Sequence, residues 1–161
     1  MKAIILSAGQ GRRLLPYTAS LPKCLVTVGG RTLLEWQLRS LHDCGVTQAV
    51  IVTGFMSEAV EIIIQQVNFP GLAVRTLFNP FFGVADNLAS LYLAADELRD
   101  GGVILNGDTL FESAVLNTVL RQAQAPVSVT IDRKPRYDDD DMKVQTDGLR
   151  LCAIGKTLPV Q

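Results

Sequence analysis

Short apolar segments alternate with helix-patterned segments along most of this 161-residue chain, and this alternation constrains the fold most. Strands are predicted at residues 3–6, 49–53, 73–78, 102–106 and 127–132, and the first and fourth are expected to be buried. Between them, helical patterns follow a Thr32–Glu35 capping box and cover residues 58–66, 87–98 and 113–123. Strand–helix alternation predicts an α/β fold: a Rossmann-like, mainly parallel sheet with helices on both faces.

The pattern changes near the end of the chain. Residues 142–146 and 149–155 flank a turn signal at Asp147-Gly148, which predicts a C-terminal β-hairpin. No repeat, low-complexity segment or linker interrupts the sequence. We therefore expect residues 1–161 to form a single domain, because this length suffices for one sizeable core.

The charges are nearly balanced, with fifteen Lys and Arg residues against sixteen Asp and Glu residues. This balance gives no support to a nucleic-acid partner or a membrane-surface role. The three cysteines are widely spaced, which indicates a reduced compartment rather than disulfides or a zinc site. Since no apolar run has the length of a signal peptide core or a membrane span, we expect a cytoplasmic protein.

The segment SAGQGRR (7–13) follows the first predicted strand at once. Ligands of open parallel sheets bind beyond the carboxyl ends of the strands, and glycines with Arg and Lys side chains suit phosphate groups. The P-loop pattern GxxxxGK[ST] is absent from the sequence. The dinucleotide pattern GxGxxG fails too, because Leu14 stands at its third glycine and no acidic residue follows the second strand at Gly54.

The pattern L-x-A-G-x-G-x-R-x-x-P-x-T followed by P-K-x-L resembles the signature of sugar-nucleotidyltransferase-like enzymes. The chain supplies this pattern with Leu6, Ala8, Gly9, Gly11, Arg13, Pro16, Thr18, Pro22, Lys23 and Leu25. These enzymes join a nucleoside triphosphate to a phosphorylated small molecule. One departure is Arg12, where the family usually has Thr or Ser, and its side chain could contact the triphosphate or lean into solvent.

The resemblance implies roles for these residues. Arg13 and Lys23 would be catalytic, on the leaving pyrophosphate and near the α-phosphate. Asp108 of the Asn-Gly-Asp segment 106–108 would hold Mg²⁺, although this tripeptide also suits a plain turn. The nucleotide would lie against the loop residues Leu6, Ser7, Ala8, Gly9, Gly11 and Arg12.

Two further segments resemble the phosphocholine cytidylyltransferase-like branch. NPFFGVADNLASLYLA (79–94) corresponds to the base-reading segment, which implies CTP, with Asn87 and Ser90 near the base. The alternative for Asn87 is a helix cap. Lys143 and Lys156 are candidates for the acceptor phosphate or else solvated strand residues, and Gly155 stands where the family has Glu.

The expected reaction is transfer of a nucleotidyl group from CTP to a phosphorylated acceptor such as phosphocholine, with release of pyrophosphate and dependence on Mg²⁺. Two alternatives stay open: a hexose-1-phosphate nucleotidylyltransferase using UTP, dTTP or GTP, and a nucleotide-binding module without catalysis. The resemblance covers the front part of the family domain, so the expected single domain would be its N-terminal portion. A homo-oligomer is possible.

Overall fold

The computed structural model describes residues 1–123 and 126–159; the other positions of the predicted domain lie outside the described residues. The strands are β1 (Lys2–Leu6), β2 (Thr27–Val28), β3 (Arg31–Thr32), β4 (Gln48–Thr53), β5 (Ala73–Phe78), β6 (Val103–Asn106), β7 (Lys143–Asp147) and β8 (Arg150–Gly155). The α-helices are α1 (Leu33–Asp43), α2 (Ser57–Gln66), α3 (Asn87–Leu93) and α4 (Ser113–Gln122).

Four strands form a parallel sheet in the order β5-β4-β1-β6. Ile4 of the central strand β1 lies beside Val50 of β4 and Ile104 of β6. The chain first adds β4 and β5 on one side of β1 and then crosses to β6 on the other side. The direction of winding therefore reverses at β1 and β6, and such a switch point opens a crevice at the carboxyl ends of its strands.

Helices cover both faces of this sheet, as the sequence predicts. Alternate side chains of β1 point to opposite faces, so Ile5 packs with α1, α2 and α4 while Ile4 packs with α3. The larger core cluster includes Leu34, Leu38 and Leu41 of α1. Both faces of the central strands are thus buried, which explains their continuous apolar sequences.

Helix α1 begins and ends where its sequence signals lie. The Glu35 amide donates to Thr32 Oγ1 over 3.1 Å, and Glu35 Oε2 accepts from the Thr32 amide over 2.7 Å, so the predicted capping box is present. After the helix, Gly45 takes φ +74°, the left-handed conformation that suits a C-terminal cap.

One predicted strand is wrong. Residues 127–132, all described, form no strand, and Val127, Val129 and Ile131 are 81%, 51% and 46% exposed. Their apolar–polar alternation fits a pleated surface, but a strand also needs a neighbouring backbone to pair with, which alternation does not supply. The predicted helix 87–98 also divides into α3 and a short 3₁₀ segment, Ala95–Leu98.

The described residues form two compact units that divide after Ala123. The first contains the parallel sheet, and the second contains the predicted C-terminal hairpin, β7 paired antiparallel with β8. Its two-residue loop is Gly148-Leu149, one position later than the predicted turn. A single domain over residues 1–161 stays a prediction. Across the described residues, no helix is both long and apolar enough to cross a membrane.

Candidate active site

A cleft of about 230 Å³ opens at the carboxyl ends of β1 and β6, the switch point of the sheet. Cys24, Asn106 and Gly107 contribute to its walls. The structure also brings eight of the predicted site residues together in its lining, which are Leu6, Ser7, Gly9, Gly11, Arg13, Lys23, Asn87 and Asp108. Residues from four separate segments therefore meet where the sheet topology predicts a ligand.

The glycine loop has the backbone freedom that its path requires. Gly11 takes φ +73° and precedes a 3₁₀ turn at Arg12–Leu14, while its carbonyl accepts from Thr18 Oγ1 over 2.9 Å. A Cβ on Gly11 would lie 2.8 Å from Lys23 Cβ. Glycine at this position thus permits both the left-handed turn and the close approach of Lys23.

Lys23 Nζ forms an ion pair with Asp108 Oδ2 across the cleft. The side chains of Lys23 and Asp108 are 28% and 37% exposed, so both charged groups keep contact with water. The pair joins the glycine-loop side of the cleft to the loop after β6. The ion pair therefore brings one cation and one carboxylate next to each other in the cleft.

The donor set of the cleft fits a Mg²⁺ ion bound together with phosphate. Asp108 supplies a partly exposed carboxylate, and Mg²⁺ in phosphoryl-transfer sites commonly takes one or two carboxylates, with phosphate oxygens and water completing its shell. In the part of the chain that the structure describes, no three His, Cys, Asp or Glu side chains form a metal cluster. A metal there would need most of its ligands from substrate and water.

The end of β6 is packed directly against the end of β1. The Gly107 amide donates to the Leu6 carbonyl oxygen over 2.9 Å. A Cβ on Gly107 would collide with Ser7 Oγ and lie 2.8 Å from that same carbonyl oxygen. Nearby, burial raises the pKa of the Cys24 thiol to about 11, so this cleft-lining group is an inert thiol near neutral pH.

Asn87 is placed at the cleft and does not cap α3. The N-terminal cap is Asp86, whose Oδ1 accepts from the Leu88 amide over 3.0 Å. Asn87 Nδ2 donates instead to Asn106 Oδ1 over 3.2 Å. The capping alternative for Asn87 is therefore wrong, and its amide joins α3 to the end of β6.

Three predicted nucleotide-binding residues do not line the cleft. Ala8 is buried, and its carbonyl accepts from the Phe55 amide over 2.9 Å. Arg12 is exposed on the 3₁₀ turn. Ser90 is 2% exposed, and its hydroxyl accepts from Asn79 Nδ2 over 3.0 Å inside the protein.

Lys143 and Lys156 belong to the second unit, where each has a partner. Lys143 Nζ donates to the Lys156 carbonyl oxygen over 2.7 Å, and Lys156 Nζ pairs with Asp140. Their role toward an acceptor phosphate stays a prediction.

Sequence reasoning missed one polar residue beneath the cleft. Gln37 of α1 is 1% exposed, and its Nε2 donates to the backbone carbonyls of Asn106 and Thr109. The signal was present in the sequence, because Gln37 interrupts the apolar face formed by Leu34, Leu38 and Leu41.

Comparison with known families decides the assignment. A family model described as the MobA-like NTP transferase domain matches residues 3–140. The chain belongs to this family. The nucleotidyltransferase resemblance of the glycine-loop pattern is thereby confirmed.

Curated relatives of this NTP transferase domain include several cytidylyltransferases. It is 36% identical to a choline-phosphate cytidylyltransferase of Streptococcus pneumoniae over 121 residues, which are 75% of this chain and 51% of the relative. It is 36% identical to a CMP-5′-(3-aminopropyl)phosphonate synthase of Streptomyces rubellomurinus over 126 residues, 78% of this chain and 19% of the relative. The chain thus spans about half or less of these relatives' lengths.

Solved structures agree with the fold. A CTP:phosphocholine cytidylyltransferase from Streptococcus pneumoniae matches with a TM-score of 0.61 at 32% identity, over 70% of this chain and 49% of that one. An inositol-1-phosphate CTP transferase from T. maritima matches with a TM-score of 0.73 at 23% identity, over 98% of this chain and 64% of that one. The second likeness shows the fold alone.

Proposed function

We propose that this NTP transferase domain transfers a nucleotidyl group from a nucleoside triphosphate, CTP by preference, to a phosphorylated small molecule such as phosphocholine. The observation that carries the proposal is the cleft, in which a glycine loop, Arg13, Lys23 and Asp108 meet at the switch point of the sheet. The similarity to a choline-phosphate cytidylyltransferase supports CTP and an aminoalkyl phosphate within this reaction class.

The reaction needs charge neutralisation and alignment. A phosphate oxygen of the acceptor attacks the α-phosphorus, the bond to the β-phosphate oxygen breaks, and pyrophosphate leaves. The acceptor phosphate is ionised at neutral pH, so no protein nucleophile or general base is required. What lowers the barrier is a set of fixed cations around the phosphates while charge moves between them.

Arg13 and Lys23 would neutralise charge on different phosphates of the triphosphate. The planar guanidinium of Arg13 can donate two parallel hydrogen bonds to the β- and γ-phosphates and hold the leaving pyrophosphate. Lys23 is a compact cation that can approach the α-phosphate, where charge is redistributed in the transition state. To do so it must leave Asp108, its partner in the structure.

Asp108 is the carboxylate that would hold Mg²⁺. The ion, when bound, would neutralise part of the charge of the phosphates. Release of the Lys23–Asp108 ion pair would leave each of the two side chains able to take a new partner of opposite charge. Lys23 would gain a phosphate, and Asp108 would gain the cation.

The remaining candidates, Asn87, Ser90, Lys143 and Lys156, would recognise the nucleotide and the acceptor. Asn87 lies at the cleft, where its amide can reach a base or ribose. Ser90 is buried behind it and would act through α3 rather than by contact. We keep Lys143 and Lys156 as candidates for the acceptor phosphate.

Isothermal titration calorimetry of the chain with each triphosphate in the presence of Mg²⁺ tests the binding step. We expect CTP to bind more tightly than UTP, dTTP, ATP or GTP. Arg13→Ala should abolish this binding, while Arg39→Ala is the matched control, because it removes an equal charge from an exposed position of α1 that does not line the cleft. Equal loss in both variants would contradict a specific role for Arg13.

Pyrophosphate release tests the chemical step. The chain is incubated with Mg²⁺ and with CTP, UTP, dTTP or GTP, and phosphocholine is compared with glucose 1-phosphate as acceptor. Release with phosphocholine supports the proposal, whereas release with glucose 1-phosphate assigns the alternative hexose-phosphate reaction. Tight CTP binding without release from either acceptor would refute transfer and assign a binding module.

A further inference from the structure

Polar side chains on one side of α1 bind backbone carbonyls at the end of β6 and in the segment that follows it. Gln37 Nε2 donates to the Asn106 and Thr109 carbonyl oxygens over 2.7 and 2.8 Å. Further along the helix, Ser40 Oγ donates to the Phe111 carbonyl over 3.3 Å. Positions 37 and 40 face the same neighbour because residues three apart lie on one side of a helix.

The Gln37 contact is fully buried and chemically selective. The residue is 1% exposed and lies within the apolar face of α1. Both of its partners are carbonyl oxygens, so a donor group is required, and a carboxylate of equal size would face two acceptors. The amide oxygen, Oε1, is buried with no hydrogen-bond partner among the described residues, so the two donated bonds have to offset the cost of burying the whole amide.

The two carbonyls bracket the turn that carries the cleft carboxylate. Asn106 and Thr109 flank Gly107 and Asp108, and a hydrogen bond from the Thr109 amide to the Asn106 carbonyl oxygen closes the turn over 3.2 Å. The Asn106 side chain also accepts from Asn87. Together with the hydrogen bond from the Gly107 amide to the Leu6 carbonyl oxygen, the Gln37 amide therefore helps to fix the backbone of the segment that positions Asp108.

We propose that Gln37 is a positioning residue, which holds the Asn106–Thr109 turn and thereby sets the place of the Asp108 carboxylate in the cleft. It touches no cleft surface and acts through the turn. The consequence for nucleotidyl transfer rests on the proposed function. The hydrogen bonds from Gln37 to the turn do not depend on that proposal.

Gln37→Met is the variant of choice, because methionine has a similar length and no donor. Leu41→Ala is the matched control: it removes buried volume from the same helix and leaves the Gln37 hydrogen bonds intact. Gln37→Glu is a second variant that keeps the shape of the side chain and changes the donor into an acceptor. All three lower stability, so each is measured at a temperature where it is folded.

Amide hydrogen exchange of the chain without ligand is the first readout. In Gln37→Met and Gln37→Glu we expect exchange at Gly107 and Thr109 to rise about tenfold or more relative to β1 amides, the change that loss of two ordinary hydrogen bonds produces. In Leu41→Ala, exchange at these two amides should rise no more than at β1. A uniform rise across the sheet in the Gln37 variants would overturn the proposal.

Transfer kinetics are the second readout. We expect kcat of Gln37→Met to fall about tenfold or more and the half-saturating Mg²⁺ concentration to rise, with KM for CTP nearly unchanged because Arg13 is not displaced. Raised exchange with unchanged kcat in an active enzyme would overturn the positioning role. If the wild-type chain shows no transfer at all, the proposed function fails, and exchange alone then decides whether Gln37 holds the turn.

Discussion

Replacing Gly9 with alanine should weaken nucleotide binding without lowering the free energy of unfolding. No heavy atom lies within 4 Å of the position that the added Cβ would take, and Gly9 does not have a left-handed φ. A glycine-to-alanine change at such a compatible position restricts the unfolded chain, so the free energy of unfolding should rise by about 0.4–1 kcal/mol. The folded, ligand-free protein therefore has no reason to require glycine there.

The bound nucleotide supplies that reason under the proposed function. Gly9 lines the cleft, and an added methyl group would occupy space that the nucleotide needs against the loop backbone. Forcing one extra methyl into a close-packed contact costs about 1–3 kcal/mol. CTP affinity should therefore fall about 5- to 150-fold. Gly11→Ala cannot make this separation, because its φ and its contact with Lys23 also disturb the free protein.

Calorimetric CTP titration and thermal unfolding are measured together for Gly9→Ala and a matched control. Gly155→Ala makes the same chemical change in the second unit, where its Cβ would meet Leu158 Cγ at an ordinary 3.8 Å. We expect that control to bind CTP normally. Wild-type CTP affinity in Gly9→Ala would refute close approach of the nucleotide to the loop, and a lowered melting temperature would refute the argument from free space.

Three further predictions concern Lys23, Cys24 and Glu97. Lys23→Ala should lower kcat about 100-fold or more, the loss of about 3 kcal/mol found for single preorganised donors, and pyrophosphate release measures it. Cys24, with its pKa of about 11, should resist alkylation at pH 8 while exposed Cys152 reacts, as peptide mass spectrometry will report. Hydrogen bonds from Lys2 and, as the smaller effect, from Arg75 lower the pKa of Glu97. Glu97→Gln should therefore reduce the melting temperature at pH 7. This difference should shrink below pH 4.5 and vanish where the carboxyl is protonated in both the folded and the unfolded protein.

Local sequence signals predict the parallel sheet well because each one acts within its own segment. The continuous apolar run of β1 requires burial on both faces, and the Thr32–Glu35 box fixes where α1 begins. Residues 127–132 carry an equally good local signal and form no strand. Strand formation depends on a partner that is distant in sequence, and a propensity pattern contains no information about that partner.

Cleft residues could be predicted from the sequence where a suitable residue type closely follows a predicted strand. Gly9, Gly11 and Asp108 follow strands of the parallel sheet, so the switch-point rule brings them together without knowledge of side-chain contacts. Ser90 shows the limit of this reasoning, since its helix turns the hydroxyl toward Asn79 inside the protein. Which face of a short helix points inward depends on tertiary packing, and the Asn-x-x-Ser spacing alone does not decide it.

The Lys23–Asp108 pair links the glycine loop to the turn after β6 across a sequence separation of 85 residues. Because both side chains are about one third exposed, their ion pair contributes at most about 1 kcal/mol to stability. Charge-assisted contacts to phosphate are stronger, so under the proposed function a bound nucleotide would displace the pair at little cost. The pair would therefore keep the two charges of the proposed site in place without competing strongly against the nucleotide. Gln37 supports the same arrangement from below, since the turn that it holds determines where Asp108 stands when Lys23 is released.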